Sequence, residues 1–155
     1  MKTPILNTTS MMKLTFILNL FFFTASIFAQ NSAVNTKNNI AIQGYDPVAY
    51  FTENKATVGK KEINSKVEGA TYYFSSKKNK ALFDKNPANY MPQYGGYCAY
   101  GVSQGYKAPI KPESFTIFNG KLYLNYNLEV RDTWSKNLEE RVSNGDKNWI
   151  KIISK

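Results

Sequence analysis

The sequence predicts an α+β protein, a small single domain in which β-hairpin strands pack against short helices and a C-terminal amphipathic helix. Three observations predict this class. Two β-rich runs flank the dipeptide Asn119-Gly120, an earlier β-rich run leads into a capped helix, and an apolar stripe recurs every four residues near the C-terminus. The chain has 155 residues, which is the length of one domain.

The hairpin is predicted within residues 115–126, FTIFNGKLYLNY. Asn119-Gly120 suits a type I′ turn because both central residues of that turn need positive φ. The register that this turn imposes pairs Phe118 with Lys121, Ile117 with Leu122, Thr116 with Tyr123, and Phe115 with Leu124. Phe115, Ile117, Leu122 and Leu124 then share one face, which should be buried, while the other face is mixed.

The capped helix follows residues 67–74, VEGATYYF, where a Glu-Gly turn signal precedes a β-rich run. Ser75 or Ser76 can cap a helix over KKNKALFDKN, and Pro87 ends it. Nearer the N-terminus, Asp46-Pro47 is an N-cap and first-turn pair. We therefore expect one helical turn over Asp46–Phe51.

The C-terminal stripe consists of Val130, Trp134, Leu138 and Val142. A spacing of four residues places them on one face of a helix. Asn144-Gly145 is predicted to end that helix, because glycine and asparagine favour the residue after a helix. A helix with one apolar face must pack on another element, and we expect the apolar face of the hairpin to be its partner.

The N-terminus is predicted to be a signal peptide over residues 1–29, cut after Ala29. Lys13 precedes an apolar run, LTFILNLFFF, which is followed by TASIFAQ, a stretch with the small residues typical of a signal-peptide cleavage site. The alternative is an uncleaved anchor, but polar residues follow the run too closely for a stable membrane span. We expect a flexible polar leader over 30–39, the folded domain over 40–155, and a periplasmic or secreted location.

The charge of the chain is positive, with a formal net charge of +9 at pH 7. Most of this charge is lysine spread along the chain, and Arg131 and Arg141 are the two arginines. Such a distribution is typical of a solvated surface. Together with the lack of any recognisable nucleic-acid-binding motif, this distribution argues against nucleic-acid binding.

The composition excludes several kinds of chemistry. The chain has no histidine and one cysteine, Cys98. It therefore has no Ser-His or Cys-His pair, no histidine metal site and no CxxC redox pair. Exported proteins usually pair their cysteines, so an unpaired Cys98 should be either buried or used.

Three roles for Cys98 stay open from the residues alone. It can fill the core, because free cysteine is among the most buried residue types. It can bind copper or another soft metal ion, with Met91 as a second soft ligand. It can act as a nucleophile, with Lys107 and a predicted helix over Tyr97–Gln104 lowering the thiol pKa, although no histidine base is present. We therefore do not predict an enzyme.

A second kind of site is a tyrosine-lined pocket for a small molecule or a protein partner, in which Cys98 is a structural core residue. Aromatic walls with a few polar tips are typical of such pockets. The candidate residues are Tyr50, Tyr94, Tyr97, Tyr100 and Lys107.

The quoted stretches resemble a known family. GYDPVAYF at 44–51, GATYYFSS at 69–76, the run at 79–109 that contains YGGYCAYG, and GKLYLNYN at 120–127 are similar to the YHS-domain proteins, in particular an exported, single-domain branch. The resemblance implies a small α+β domain related to metal-binding modules. In those modules a DPVCGM-type stretch and a CSxxC-type stretch supply cysteines, whereas this chain reads DPVAYF and SSKKN there.

Overall fold

The computed structural model describes residues 33–155, so the predicted signal peptide and the first residues of the leader lie outside it. The strands are β1 Thr36–Lys37, β2 Ile40–Ala41, β3 Lys60–Val67, β4 Ala70–Phe74, β5 Lys111–Phe118 and β6 Lys121–Asn125. The helices are α1 Ala49–Thr52, α2 Lys77–Lys85, α3 Ala99–Ser103, α4 Leu128–Ser135 and α5 Leu138–Ile153. Two small sheets and five helices confirm the predicted α+β class. Within this part of the chain, no helix has the length and apolar character needed to cross a membrane.

The larger sheet has the strand order β1-β2-β4-β3. Strands β3 and β4 form an antiparallel hairpin, with Val67 opposite Ala70. The turn residues Glu68 and Gly69 have φ values of 51° and 76°, as a type I′ turn requires. The predicted Glu-Gly turn and the β-rich run after it are thus confirmed.

The first hairpin of this sheet lies partly within the predicted leader. Strand β1 pairs with β2 across Asn38 and Asn39, whose φ values are 53° and 62°. Asparagine tolerates this left-handed conformation better than most residues, so the Asn-Asn pair makes a tight turn. Val34 is 6% exposed and packs into the core. A segment that reads as polar and without periodicity is therefore paired and partly buried from residue 34 onward.

The predicted short helices are present. Asp46 caps the turn that leads into α1, since its Oδ1 accepts hydrogen bonds from the N–H groups of Val48 at 2.8 Å and Ala49 at 3.3 Å. Ser76 caps α2 by accepting a hydrogen bond from Asn79 N at 3.1 Å. Helix α2 ends at Lys85, two residues before Pro87.

The smaller sheet is the β5–β6 hairpin, in the register predicted from Asn119-Gly120. Leu122 and Leu124 are fully buried, whereas Phe115 and Ile117 are partly buried. Tyr123, on the face expected to be mixed, is only 2% exposed. The hairpin therefore contributes side chains to the core from both of its faces.

Two clusters of buried side chains form the core. The first core cluster contains Val34, Ala41, Ile42, Val48, Tyr50, Ala70, Tyr72, Phe74, Phe83, Cys98, Ile110, Leu122 and Leu124. The second core cluster contains Tyr94, Ala99, Val102, Tyr123 and Trp134. Strand β6 joins them, because its leucines belong to the first cluster and its tyrosine to the second.

The C-terminal stripe packs on the hairpin, but mainly on the face that carries Tyr123. The rings of Trp134 and Tyr123 lie 5.1 Å apart, and Leu138 and Val142 pack against the same second core cluster. Val130 packs against the first cluster instead. The stripe is also divided between two helices, since α4 ends at Ser135 and α5 begins at Leu138.

The predicted helix end at Asn144-Gly145 is wrong, because α5 continues to Ile153. Gly145 lies inside the helix, where a Cβ atom would be 2.5 Å from the Tyr94 hydroxyl oxygen. Beyond it, Trp149 and Ile152 pack against the second core cluster. The burial of these side chains outweighs the cost of a helical glycine, which is about 1 kcal/mol.

Replacing Gly145 with alanine tests this fit. Helix propensity alone would make Gly145→Ala stabilising by about 1 kcal/mol. We expect it instead to lower the free energy of unfolding by about 1–3 kcal/mol, because the new methyl group overlaps the Tyr94 ring. Urea unfolding followed by circular dichroism measures the change.

The matched control is Ser143→Ala, at an exposed position of the same helix. It removes no packing and should leave stability unchanged or slightly higher. A Gly145→Ala protein more stable than the wild type would show that Tyr94 does not hold this position.

Candidate functional site

Cys98 lies at the start of α3, where two close contacts fix it. Its N–H donates to the Ala108 carbonyl oxygen at 3.0 Å, and its backbone forms an isolated parallel bridge with Leu124. The preceding Gly95 comes so close to Ala33 that a Cβ atom would be 1.7 Å from the Ala33 carbonyl oxygen. Only glycine fits there, so the Gly-Gly pair allows the close backbone approach that delivers Cys98 to the core.

The Cys98 thiol is buried, with the residue 1% exposed. Its Sγ lies 3.7 Å from Asn125 Oδ1, to which the thiol donates. The same oxygen accepts a hydrogen bond from Tyr100 N at 3.1 Å. Asn125 therefore joins the first turn of α3 to the end of β6, and Cys98 packs beneath this connection.

Met91 and Cys98, the two predicted soft-metal ligands, belong to the same region of the core. Met91 packs, partly buried, against the first core cluster, to which Cys98 belongs. Among residues 33–155, no group of three or more His, Cys, Asp and Glu side chains is placed to hold a metal ion. A metal site at Cys98 would therefore have to draw on Met91 or on ligands of another kind.

Two of the predicted pocket residues are core tyrosines. The Tyr50 hydroxyl donates to the Pro112 carbonyl oxygen at 3.0 Å, and its ring lies 4.8 Å from that of Phe115. The Tyr94 hydroxyl lies 3.0 Å from Asp146 Oδ1, to which it donates. Burial raises the pKa of both phenols, and the charge of Asp146 raises the pKa of Tyr94 further. Both are neutral, hydrogen-bonded residues of the interior.

The other three predicted pocket residues lie nearer the surface, in two contacts. Lys107 Nζ is 5.0 Å from the centre of the Tyr97 ring and 5.8 Å from that of Trp149. Partial burial lowers the pKa of Lys107 and raises that of Tyr97. The Arg141 guanidinium lies 4.6 Å from the centre of the Tyr100 ring. These contacts are cation–π contacts within the protein. The sequence did not indicate Trp149, because the helix that carries it was predicted to end at Asn144-Gly145.

A buried carboxylate joins the two stretches in which the resemblance places metal-binding cysteines. Asp46 is 0% exposed. Its Oδ2 accepts hydrogen bonds from Ser75 N at 2.8 Å, Ser75 Oγ at 2.7 Å and Asn79 Nδ2 at 2.7 Å. Its Oδ1 accepts the two bonds that begin α1. In this chain hydrogen bonds to one carboxylate therefore hold the two stretches together.

The sequence indicated only part of this arrangement. Asp46 was recognised as a helix cap, which is a local role. Its bonds to Ser75 and Asn79 cross 29 and 33 residues of sequence, and no local pattern predicts them.

A cleft of about 530 Å³ opens beside the larger sheet. Lys37 and Ile40 line it from the first hairpin, and Lys61 lines it from β3. Tyr73 lines it from β4, the strand between β2 and β3. Val58 adds an apolar side chain that is 64% exposed. None of the residues predicted to bind a ligand lines this cleft.

The backbone beside the cleft is strained. Asn38, Gln43 and Gly44 line the cleft with φ values of 53°, 53° and 85°, and the neighbouring Ile42 has φ of 49°. Positive φ in a β-branched residue costs about 1–3 kcal/mol and tends to occur at functional sites. Gln43 is fixed by a 2.8 Å hydrogen bond from its Nε2 to the Ile110 carbonyl oxygen.

Two glycines close the inner side of the cleft. A Cβ atom on Gly59 would lie 2.5 Å from the Tyr73 carbonyl carbon, and one on Gly44 would lie 3.3 Å from Tyr73 Cδ2. A 2.8 Å hydrogen bond from Gly59 N to the Gly44 carbonyl oxygen joins them. Tyr73 therefore packs directly against the backbone at Gly44 and Gly59, where a larger side chain would clash with it.

Comparison with known protein families gives one finding. The sequence model of the YHS domain matches residues 48–94. This segment of the chain belongs to a YHS domain. This confirms the family resemblance, and the matched segment includes Ser75 and Asn79 but ends before Cys98. Comparisons with curated proteins and with solved structures give no significant match.

Replacing Asp46 with asparagine tests how far the fold depends on this buried carboxylate. The asparagine amide would offer one acceptor oxygen and turn an NH2 group toward donors, leaving buried polar groups unpaired. We expect Asp46→Asn to lower the free energy of unfolding by about 2–3 kcal/mol. The measurement is urea unfolding at neutral pH.

Asp132→Asn is the control, because Asp132 is exposed and bonded only to the neighbouring Arg131 in the described contacts. It should change stability by less than about 0.5 kcal/mol. Equal effects of the two substitutions would contradict a central role for Asp46.

Proposed function

We propose that this YHS domain is a binding domain that takes a small molecule into the cleft beside the larger sheet, with Cys98 as a structural core residue. The cleft itself supports the proposal most strongly. Its volume of about 530 Å³ lies within the range of small-molecule sites, roughly 300–1,000 Å³. Apolar side chains, one tyrosine and several polar groups line it, which is the usual composition of such sites.

The strained backbone supports the same proposal. Positive φ is costly for residues such as Ile42 and Gln43, so this run is retained only where the surrounding structure requires it. Here the run borders the cleft, and Gln43 is fixed there by its bond to Ile110. A preformed wall of this kind lowers the ordering cost of binding.

The proposal includes export, which rests on the sequence of residues 1–29 alone. A binding domain in the periplasm or outside the cell would meet small molecules directly. The single cysteine suits that setting, since Cys98 is too buried to be readily oxidised or to pair with another chain.

Fragment screening by NMR tests the binding site. We expect small-molecule hits to shift the amide signals of Gly44, Gly59 and Tyr73, which surround the cleft. Val58→Trp should abolish these shifts, because a large side chain at an exposed lining position fills the space.

Ile150→Trp is the matched control, because Ile150 is 68% exposed on α5 and does not line the cleft. It should leave binding intact. Hits that shift only signals around Tyr97, Tyr100 and Lys107 would instead favour the tyrosine-lined pocket predicted from the sequence, and the cleft proposal would fail.

A second candidate is soft-metal binding at Cys98, with copper as the ion. Two observations favour it: the family resemblance, and the packing of Met91 and Cys98 against one core cluster. Thiolate and thioether sulfur are the ligands that Cu(I) prefers. The thiol would have to leave Asn125 and be reached through the core, so a partner or a structural opening would be required.

A Cu(I) competition titration separates the two candidates. Under reducing conditions, we expect the wild type and Cys98→Ser to compete equally poorly with a Cu(I) chelator, because a single buried thiol makes a poor site. Met91→Leu serves as the control for the second sulfur. Tight stoichiometric binding that disappears in Cys98→Ser would make Cys98 a ligand and overturn its structural assignment.

A further inference from the structure

We propose that the ligand of the cleft is a small organic anion with one flat apolar group, such as an aromatic carboxylate. This inference rests on the proposed function and names the chemical class that the cleft recognises. It follows from the charges that line the cleft, from the fixed position of Tyr73 and from the apolar residues around it.

The charges at the cleft all have one sign. Of the residues that line it, Lys37 and Lys61 are the only charged ones, and no carboxylate lies among them. Both lysines are exposed. An anion entering the cleft therefore meets two cations and no like charge.

The two lysines lie on the two edge strands of the larger sheet. Lys37 belongs to β1 and Lys61 to β3, the two edge strands in the order β1-β2-β4-β3. Three strand spacings separate the edges, roughly 14 Å. Lysine has a long, flexible side chain, so two ammonium groups on opposite edges can close on one anionic group between them.

The apolar part of the ligand is expected to lie on Tyr73. Gly44 lies against the Tyr73 ring, where a Cβ atom would be 3.3 Å from Cδ2, and Gly59 lies against the Tyr73 backbone, where a Cβ atom would be 2.5 Å from the carbonyl carbon. A tyrosine fixed in this way can offer its ring for stacking with little loss of side-chain freedom. Ile40 and Val58 border the same space, so a flat apolar group would be covered on several sides.

The overall charge favours the same class of ligand. The formal net charge is +9 for the full chain and +7 without Lys2 and Lys13 of the predicted signal peptide, and either value raises the local concentration of anions around the protein at low salt. This attraction is general, so the cleft must supply the selectivity through the two lysines and Tyr73.

The test compares benzoate with benzamide, a neutral molecule of nearly the same shape, by NMR titration of the purified protein. We expect benzoate to shift the signals of Gly44, Gly59 and Tyr73 and to bind about tenfold more tightly than benzamide. Each exposed lysine should contribute about two- to fivefold. Lys37→Gln combined with Lys61→Gln should then weaken benzoate binding about tenfold and leave benzamide binding unchanged.

The control pair is Lys78→Gln with Lys121→Gln, two exposed lysines that do not line the cleft. It removes the same net charge and should weaken benzoate binding by less than about twofold. Equal weakening by both pairs would overturn the inference, because general charge attraction would then explain the binding.

Two further results would also overturn it. If benzamide binds in the cleft as tightly as benzoate, the ligand is not selected for charge, although the cleft remains a binding site. If neither molecule shifts the cleft signals, this class of ligand is wrong, and the fragment screen decides independently whether the cleft binds small molecules at all.

Discussion

The buried carboxylate of Asp46 connects more of this fold than any other single polar group described above. Its two oxygens accept five hydrogen bonds, from the start of α1, the residue after β4 and the first turns of α2. A buried charge is costly unless donors surround it, and bonds to a charged acceptor are among the stronger ones in proteins. The loop before α1, the larger sheet and α2 are thereby held in one arrangement.

This arrangement joins the two stretches without the cysteines that the metal-binding modules carry there. The stretches that would supply those cysteines meet here around a carboxylate, a serine and an asparagine. The remaining cysteine, Cys98, lies beyond the matched segment and packs beneath Asn125.

Local signals in the sequence predicted local structure well. Asn119-Gly120 determined a hairpin register residue by residue, because a type I′ turn leaves no freedom in the pairing. Features that depend on distant residues were not predictable. Gly145 reads as a helix end, and only the position of Tyr94 shows why it lies inside a helix. The cleft depends on Gly44 and Gly59 meeting around Tyr73, and no spacing in the sequence indicates that meeting.

The hydrogen-bonded tyrosines of the core make the stability of the domain depend on pH. Burial raises the pKa of Tyr50 and Tyr94 above the value near 10 that unfolded tyrosines have. Above pH 10 the unfolded chain therefore releases phenolic protons that the folded chain still holds. The stabilisation from these phenols is complete below pH 10 and is lost as the pH rises further. A core that includes buried phenols among its aliphatic side chains is thus stable in neutral and mildly basic surroundings but sensitive to strong alkali.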